Sequence, residues 1–145
     1  VGQKKKNKVL DTEIVKLFYQ LEKNTLVRTH KWKKEYRYDL ITDFVKNIRT
    51  ARETCVRALS FDMDYIQDKL NCYEVSKTFL NNIEYDLQMM SDGDVNVIGS
   101  NECADYLIMI DKIGEMINRL AKQLSCRLME LSESQNHDDA SEQLH

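Results

Sequence analysis

The sequence contains no proline, and its 145 residues include only four glycines. Tight turns depend on these two residue types, so the chain is a poor candidate for a β-sandwich or β-barrel, which need many short corners. Its length suits a single domain. We therefore predict an all-α protein. The glycines are Gly2, Gly93, Gly99 and Gly114.

Long apolar runs are also missing. The longest extends from Tyr106 to Ile110, five residues, whereas a membrane-spanning helix needs about 20. The lysines at positions 4, 5, 6 and 8 are followed by no apolar segment and no small-residue cleavage pattern, which argues against a secretory signal. We expect no membrane partner and a cytoplasmic location.

Histidine is scarce, and this limits the chemistry that the chain can support. Helical bundles hold di-iron centres through Glu-x-x-His pairs, and the one such pair, Glu142 and His145, lies at the C-terminus. The four cysteines, spaced by 17, 31 and 23 residues, match no zinc or redox motif, so we expect free structural thiols. The glycines form no phosphate-binding loop. We predict no catalytic residue, no metal and no cofactor, and hence no enzyme.

The net charge of −3 hides a gradient along the chain. Residues 1–60 carry fifteen Lys and Arg against seven Asp and Glu, whereas residues 61–145 carry six against seventeen. We divide the chain into a basic arm (1–10), a helical bundle (11–131) and an acidic tail (132–145), which is predicted to be disordered because it has few apolar side chains. The asymmetry indicates a charged partner, the alternative being a solvated face with a solubilising tail.

Apolar residues recur at helical spacing in four segments. The first predicted helix covers residues 11–29, the second covers 34–59, the third ends near Met90, and the fourth extends from Ser100 to about Leu131. Asp62 or Asp64 is expected to cap the third helix, and Ser100 the fourth. The predicted core positions are Leu10, Ile14, Leu17, Phe18 and Leu21 in the first, Ile41, Phe44, Ile48, Ala51, Cys55 and Ala58 in the second, and Tyr73, Ser76, Leu80, Ile83, Leu87 and Met90 in the third. The outer face of the third is predicted to be acidic, with Asp68, Glu74, Glu84 and Asp86.

The fourth helix has the most regular pattern, a heptad seam from Cys103 to Leu131 with a second apolar row beside it. A stripe this wide exceeds what one neighbouring helix covers, so we expect part of it to face another subunit. Gly114 on the seam permits close backbone approach, or else is a tolerated exception that costs about 1 kcal/mol. The residues predicted to mediate helix packing and oligomerisation are Gly114, Ile110, Ile113 and Ile117.

Four helices with short connections favour an up-down antiparallel four-helix bundle, because a short connection places consecutive helices side by side in opposite directions. The alternative is a coiled-coil dimer built on the fourth helix.

Basic and aromatic residues are interleaved in residues 29–38, THKWKKEYRY. Cations bind a phosphate backbone and aromatic rings stack on bases, so this segment and the second helix are candidates for RNA binding. In the alternative interpretation, Trp32 and Tyr38 cap the core and the lysines are only solvated. The candidate phosphate contacts are Lys31, Lys33, Lys34, Arg37, Lys46, Arg49, Arg52 and Arg57.

Two motifs carry a family resemblance. Residues 32–40, WKKEYRYDL, are similar to a Phe-Pro-Lys-x-x-Lys/Arg-Tyr-x-Leu pattern, with Lys33 in place of the proline, and residues 111–117, DKIGEMI, resemble Glu-x-Gly-x-x-Leu. Both patterns are typical of the four-helix-bundle family that includes the accessory variability determinant of diversity-generating retroelements and the proteins encoded in ribosomal RNA intervening sequences.

The resemblance implies a ring-shaped homo-oligomer, a pentamer, that binds structured RNA and docks onto a reverse transcriptase. The first hypothesis is therefore a non-enzymatic RNA-binding accessory subunit of a diversity-generating retroelement. The second is a helical protein-protein interaction module of the intervening-sequence type with no nucleic-acid role, in which the apolar face of the fourth helix and the acidic face of the third engage a partner protein.

Overall fold

The structure is a computed structural model that describes residues 8–143, so most of the predicted basic arm lies outside the described residues. This part of the chain is helical and has no strand. Its four main helices are α1 (Glu13–Arg28), α2 (Thr42–Ser60), α3 (Ile66–Ser91) and α4 (Ser100–Gln143). Within the same residues, no helix combines the length and apolar character needed to cross a bilayer.

The apolar spacing of the sequence places the core correctly. All six predicted core positions of the second helix and all six of the third are buried, although Ile41 lies in the turn before α2. In α1, Ile14, Phe18 and Leu21 are buried, whereas Leu17 is only partly buried. Leu10 differs, because α1 begins only at Glu13 and leaves this side chain 54% exposed in the turn before the helix. Each helix packs on its neighbours in the chain, and α1 also packs on α4, which gives a bundle around one core.

Polar side chains join α2 to α3 inside the bundle. Ser76 donates from Oγ to the carbonyl of Ala51 over 2.7 Å, and Asn47 donates from Nδ2 to Oδ2 of Asp86 over 2.8 Å. Ala51 and Ser76 are both completely buried, and their small side chains let the two helices approach closely.

The connection between α1 and α2 is longer than predicted. The second helix was expected from residue 34, but residues 34–36 form a 3₁₀ turn and residues 37–41 a π-helical turn before α2 starts at Thr42. The Thr42 hydroxyl donates to the carbonyl of Arg37 over 2.6 Å, which fits the wider turn. Trp32 anchors the connection, since its side chain is only 5% exposed and its ring lies 6.0 Å from that of Phe44.

The predicted helix caps are wrong in detail. Neither Asp62 nor Asp64 makes a capping hydrogen bond, because a 3₁₀ turn, Met63–Tyr65, comes before α3. Ser100 is the first residue of α4, and the carbonyl of Gly99 accepts the first bond, from the Cys103 amide, over 3.0 Å. Lys69, which the sequence did not single out, donates to the carbonyls of Ala58 and Phe61 over 2.7 and 2.8 Å at the end of α2.

The segment 92–99 connects α3 to α4. Its left-handed residue is Asn96, at φ 51°, and not a glycine. The amides of Val97 and Ile98 both donate to the carbonyl of Met90, and both side chains are buried. The loop therefore closes this end of the core with its own apolar residues.

Helix α4 continues to Gln143, past the predicted end near Leu131 and through the segment expected to be disordered. Residues 132–141 contain no glycine or proline to stop the helix, and all of them are exposed. The side chains of this segment are therefore unburied, as expected, but its backbone is helical and not disordered. Nearer the start of α4, the second apolar row faces the core of the same chain, and its residues Tyr106 and Ile113 are buried there.

Candidate nucleic-acid interface

The α1–α2 connection presents four of the predicted cations around one buried aromatic side chain. Lys31, Lys33, Lys34 and Arg37 are all exposed, and Trp32 between them is buried. Burial of Trp32 fixes the backbone, so the neighbouring lysines are held at the surface. None of the four forms an ion pair or a side-chain hydrogen bond within residues 8–143.

The four predicted cations of α2 do not form a single stripe. Arg49 and Arg52 lie on the flank that faces α1, whereas Lys46 and Arg57 lie on the outer face. Arg52 is already engaged, because its Nε lies 3.0 Å from Oε1 of Glu22 on α1. Lys46, Arg49 and Arg57 are exposed and have no partner within the described chain.

Distance along the helix separates these cations further. At 1.5 Å per residue, Arg49 lies about 18 Å beyond Arg37, whereas Arg57 lies about 30 Å beyond it, near the opposite end of α2. Six of the eight predicted residues are therefore exposed and unpaired between residues 31 and 49, whereas Arg52 is paired and Arg57 lies about two turns further along α2. We call these six the basic cluster: Lys31, Lys33, Lys34, Arg37, Lys46 and Arg49. Three exposed carboxylates, Glu35, Asp39 and Asp43, lie among them.

The two interpretations of the aromatic residues in the connection were stacking on RNA bases and capping of the core. Trp32 belongs to the core, as the second interpretation expected, and so cannot stack on a base. Tyr38 is 85% exposed and does not cap the core. The alternative that Trp32 and Tyr38 both cap the core is therefore right for Trp32 and wrong for Tyr38, which lies in the π-helical turn.

A buried cluster behind the connection was not predicted. The Tyr106 hydroxyl lies 3.0 Å from Oγ1 of Thr25, and the guanidinium of Arg28 lies 5.1 Å from the centre of the Tyr106 ring. Arg28 Nε also lies 3.5 Å from Oε1 of Glu102, which joins α1 to α4. Burial raises the pKa of Tyr106, and the Thr25 bond and the Arg28 charge oppose this. Sequence spacing carries no signal for this cluster, because Thr25 and Tyr106 are 81 residues apart.

An open groove between α1 and α2 was also missed. It has a volume of about 410 Å³, and its walls include Tyr19, Leu26 and Val45. Tyr19 is 62% exposed and Leu26 70% exposed, although both are large and apolar. The sequence did hold a signal, because these two residues are seven positions apart on α1 and lie off its core seam. Lys23 and Arg49 also line the groove, so it adjoins the basic cluster.

Two buried charged groups serve the fold. Burial lowers the pKa of Lys69, and the negative charge of Asp62 opposes this. Burial raises the pKa of Asp86, against the hydrogen bond from Asn47, and the nearby charge of Asp43 raises it further. Asp86 was predicted on the outer acidic face of the third helix, but it is buried against α2, while Asp68 and Glu74 are exposed.

The predicted oligomerisation residues separate into two groups. Ile110, Ile113 and Ile117 are buried in the core of this chain. Gly114 lines an open groove between α3 and α4, and a Cβ added there would meet no atom within 4 Å apart from its own helix. Close packing within the chain therefore does not explain this glycine, and of the four residues it is the one that a second copy can reach.

The part of the chain that the structure describes shows no grouping of three His, Cys, Asp or Glu side chains that would hold a metal ion. Its four cysteines are free, as predicted. Burial raises the pKa of Cys55 to about 12, so this thiol is not a nucleophile near neutral pH. Comparison with protein-family models, curated proteins and solved structures finds no match to this chain.

Proposed function

We propose that this protein is a non-enzymatic RNA-binding accessory subunit that contacts phosphates through the basic cluster. The observation that carries the proposal is the set of six exposed cations, which have no ion-pair partner within residues 8–143. When unpaired cations bind a phosphate backbone, they displace the counterions condensed on that backbone. The release of these counterions drives binding. The chain's net charge of −3 is no obstacle, because the cluster lies in the basic half of the sequence.

The resemblance of residues 32–40 and 111–117 supports the rest of this proposal. The resemblance implies that the partners are a reverse transcriptase and its template RNA in a diversity-generating retroelement. It also implies that five copies of the chain assemble into a ring. Weak phosphate contacts repeated around such a ring would reinforce one another. A cytoplasmic location goes with these partners. Gly114 is the predicted contact that remains open to a neighbouring copy.

An up-down order of the helices is part of the same proposal. Asn47, near the start of α2, bonds to Asp86, near the end of α3, whereas Lys69, near the start of α3, bonds to Ala58, near the end of α2. Between α1 and α4, Arg28 at the end of α1 is paired with Glu102 in the first turn of α4. These pairs support opposite directions for the helices of each pair.

A second candidate is the protein-protein interaction module without RNA. The apolar face of α4 that it would use is largely occupied by the core. The exposed apolar residues Tyr19, Leu26 and Val27 on α1 favour it instead. This candidate predicts a defined complex with a partner protein and no salt-sensitive affinity for nucleic acid.

Two variants with the same loss of charge separate the candidates. The first replaces Lys31, Lys33, Lys34 and Arg37 with glutamine. The matched control replaces four exposed cations of α4 with glutamine, namely Lys112, Arg119, Lys122 and Arg127. Both lower the net charge by four, so a difference between them reports position and not total charge.

Affinity for a structured RNA, measured by fluorescence anisotropy at one salt concentration, gives the result. The proposal expects the connection variant to lose most of its affinity for all RNA sequences alike, while the α4 variant stays close to wild type. Equal losses in the two variants would show that only net charge matters and would overturn the assignment of the basic cluster. Absence of binding by the wild-type protein would favour the interaction module.

A further inference from the structure

The groove between α1 and α2 combines an aromatic ring, an apolar floor and unpaired cations. Tyr19 and Leu26 are exposed at its walls, and Ile48 lies buried at its base. The carboxylate in its lining, Glu22, is neutralised by Arg52 at 3.0 Å. Lys23 and Arg49 are exposed and unpaired within the described residues. The remaining charge of the lining is therefore positive.

We propose that this groove holds one unpaired nucleotide of the bound RNA. The base stacks on Tyr19 and contacts Leu26, and the adjoining phosphate binds Arg49 or Lys23. This inference rests on the proposed function, since it assigns a class of ligand, single-stranded RNA, to a site that adjoins the basic cluster.

Charge and shape select this occupant. An apolar wall with one exposed aromatic ring suits the face of a base, and cations at the rim suit the phosphate attached to it. A volume of about 410 Å³ is within the range of small-ligand sites. A base within an A-form duplex is stacked on both faces and cannot enter. The groove should therefore distinguish unpaired from paired RNA, which the basic cluster alone does not do.

The structure also explains how the nucleotide reaches the groove. Arg49 belongs both to the basic cluster and to the groove lining. A strand whose phosphates follow the connection and the first turns of α2 therefore passes the groove entrance. Trp32, the aromatic residue first expected to stack, is buried, so Tyr19 takes that role beside the same cations.

The test compares Tyr19→Ala and Tyr19→Phe with the wild-type chain. The probes are an oligouridylate strand carrying one 2-aminopurine nucleotide and an oligoadenylate-oligouridylate duplex. Tyr19→Ala should weaken binding of the single strand about 5- to 150-fold, the effect of losing one stacked base, and leave duplex affinity unchanged. Tyr19→Phe keeps the ring and should bind as the wild type does. The change in 2-aminopurine fluorescence on binding should persist in Tyr19→Phe and disappear in Tyr19→Ala.

The outcomes separate this inference from the proposed function. Unchanged single-strand affinity in Tyr19→Ala would overturn the groove assignment, and this is also the result expected if a protein segment occupies the groove. An equal loss of affinity for strand and duplex would overturn it as well. The basic cluster would still stand if the connection variant lost RNA binding. If the wild-type protein bound neither probe, both proposals would be wrong. Because Tyr19 is largely exposed, circular dichroism should show an unchanged fold in both variants.

Discussion

Arg52 donates from Nε to Oε1 of Glu22 across 3.0 Å, whereas Arg49, one turn earlier on the same flank of α2, has no ion-pair partner within residues 8–143. The pair joins α1 to α2 and neutralises two partly exposed charges. Two arginines that look equivalent in the sequence therefore have different roles. Arg52 stabilises the bundle, and Arg49 remains available to an anionic ligand.

Single alanine variants should show this division. Arg52→Ala breaks a half-buried ion pair and should lower the free energy of unfolding by up to about 1 kcal/mol. It also leaves Glu22 unpaired in the groove, so the affinity to compare is that for duplex RNA, which does not enter the groove and should change little. Arg49→Ala should leave stability unchanged and reduce the salt dependence of RNA binding by about one phosphate contact. Urea unfolding and RNA titration measure the two effects. Loss of duplex RNA affinity in Arg52→Ala but not in Arg49→Ala would contradict the assignment.

Lys69→Met tests whether the Lys69 ammonium group stabilises the C-terminal end of α2. The ammonium group donates to the carbonyls of Ala58 and Phe61, and its removal leaves these acceptors without their partner. We expect the free energy of unfolding to fall by about 1–3 kcal/mol. Lys77→Met is the matched control, because Lys77 is more exposed and makes only a 3.7 Å pair with Glu74. Equal urea midpoints for the two variants would show that the Lys69 bonds add nothing.

The effect of Asp86→Asn should depend on pH. Burial raises the pKa of Asp86 in the folded chain above the unfolded value of 3.8, so the folded state binds this proton more tightly. The ionised carboxylate therefore lowers stability at neutral pH, and this loss disappears as the pH falls through the native pKa. Asparagine keeps the acceptor for Asn47 without the charge. We expect Asp86→Asn to be more stable than wild type at pH 7, with the difference narrowing toward pH 3.8 in thermal unfolding. A constant difference across this range would exclude titration of Asp86 as its cause.

Gly114→Ala distinguishes a lone chain from an assembly. An added Cβ meets open space in this chain, and alanine favours helix over glycine by about 1 kcal/mol. The variant should therefore raise the free energy of unfolding of the chain. If a second copy packs against Gly114, as the proposed ring requires, the same change should weaken association in sedimentation measurements. Increased stability with unchanged association would remove Gly114 from the interface.

Helical spacing was sufficient to predict the core positions of the second and third helices, but not every seam position of the first and fourth, since Leu10 and Leu131 are exposed. Every seam residue assigned to the second and third helices, from Ile41 to Met90, is buried, because side-chain burial in a bundle follows the period of the helix. The ends of the helices were less predictable. The π-helical turn at residues 37–41, with its bond from Thr42 to the Arg37 carbonyl, leaves no mark in apolar periodicity, and neither does the burial of Trp32 before it.

The candidate site was predicted residue by residue but not as a surface. Exposed lysines such as Lys33 and Lys34 are recognisable from their residue type, since lysine is rarely buried without a partner. The pairing of Arg52 with Glu22 depends on which flank of α2 meets α1, and this is a tertiary property. The groove at Tyr19 arises between two helices for the same reason.

The salt dependence of RNA binding tests the central claim most directly. Titrating a single-stranded RNA at a series of salt concentrations gives the slope of log K against log salt, which counts the phosphates that are neutralised. Six cations predict a slope of about −4, and replacing the four in the connection should reduce its magnitude by about three. A slope near zero, or the same slope in the wild type and the connection variant, would contradict the account.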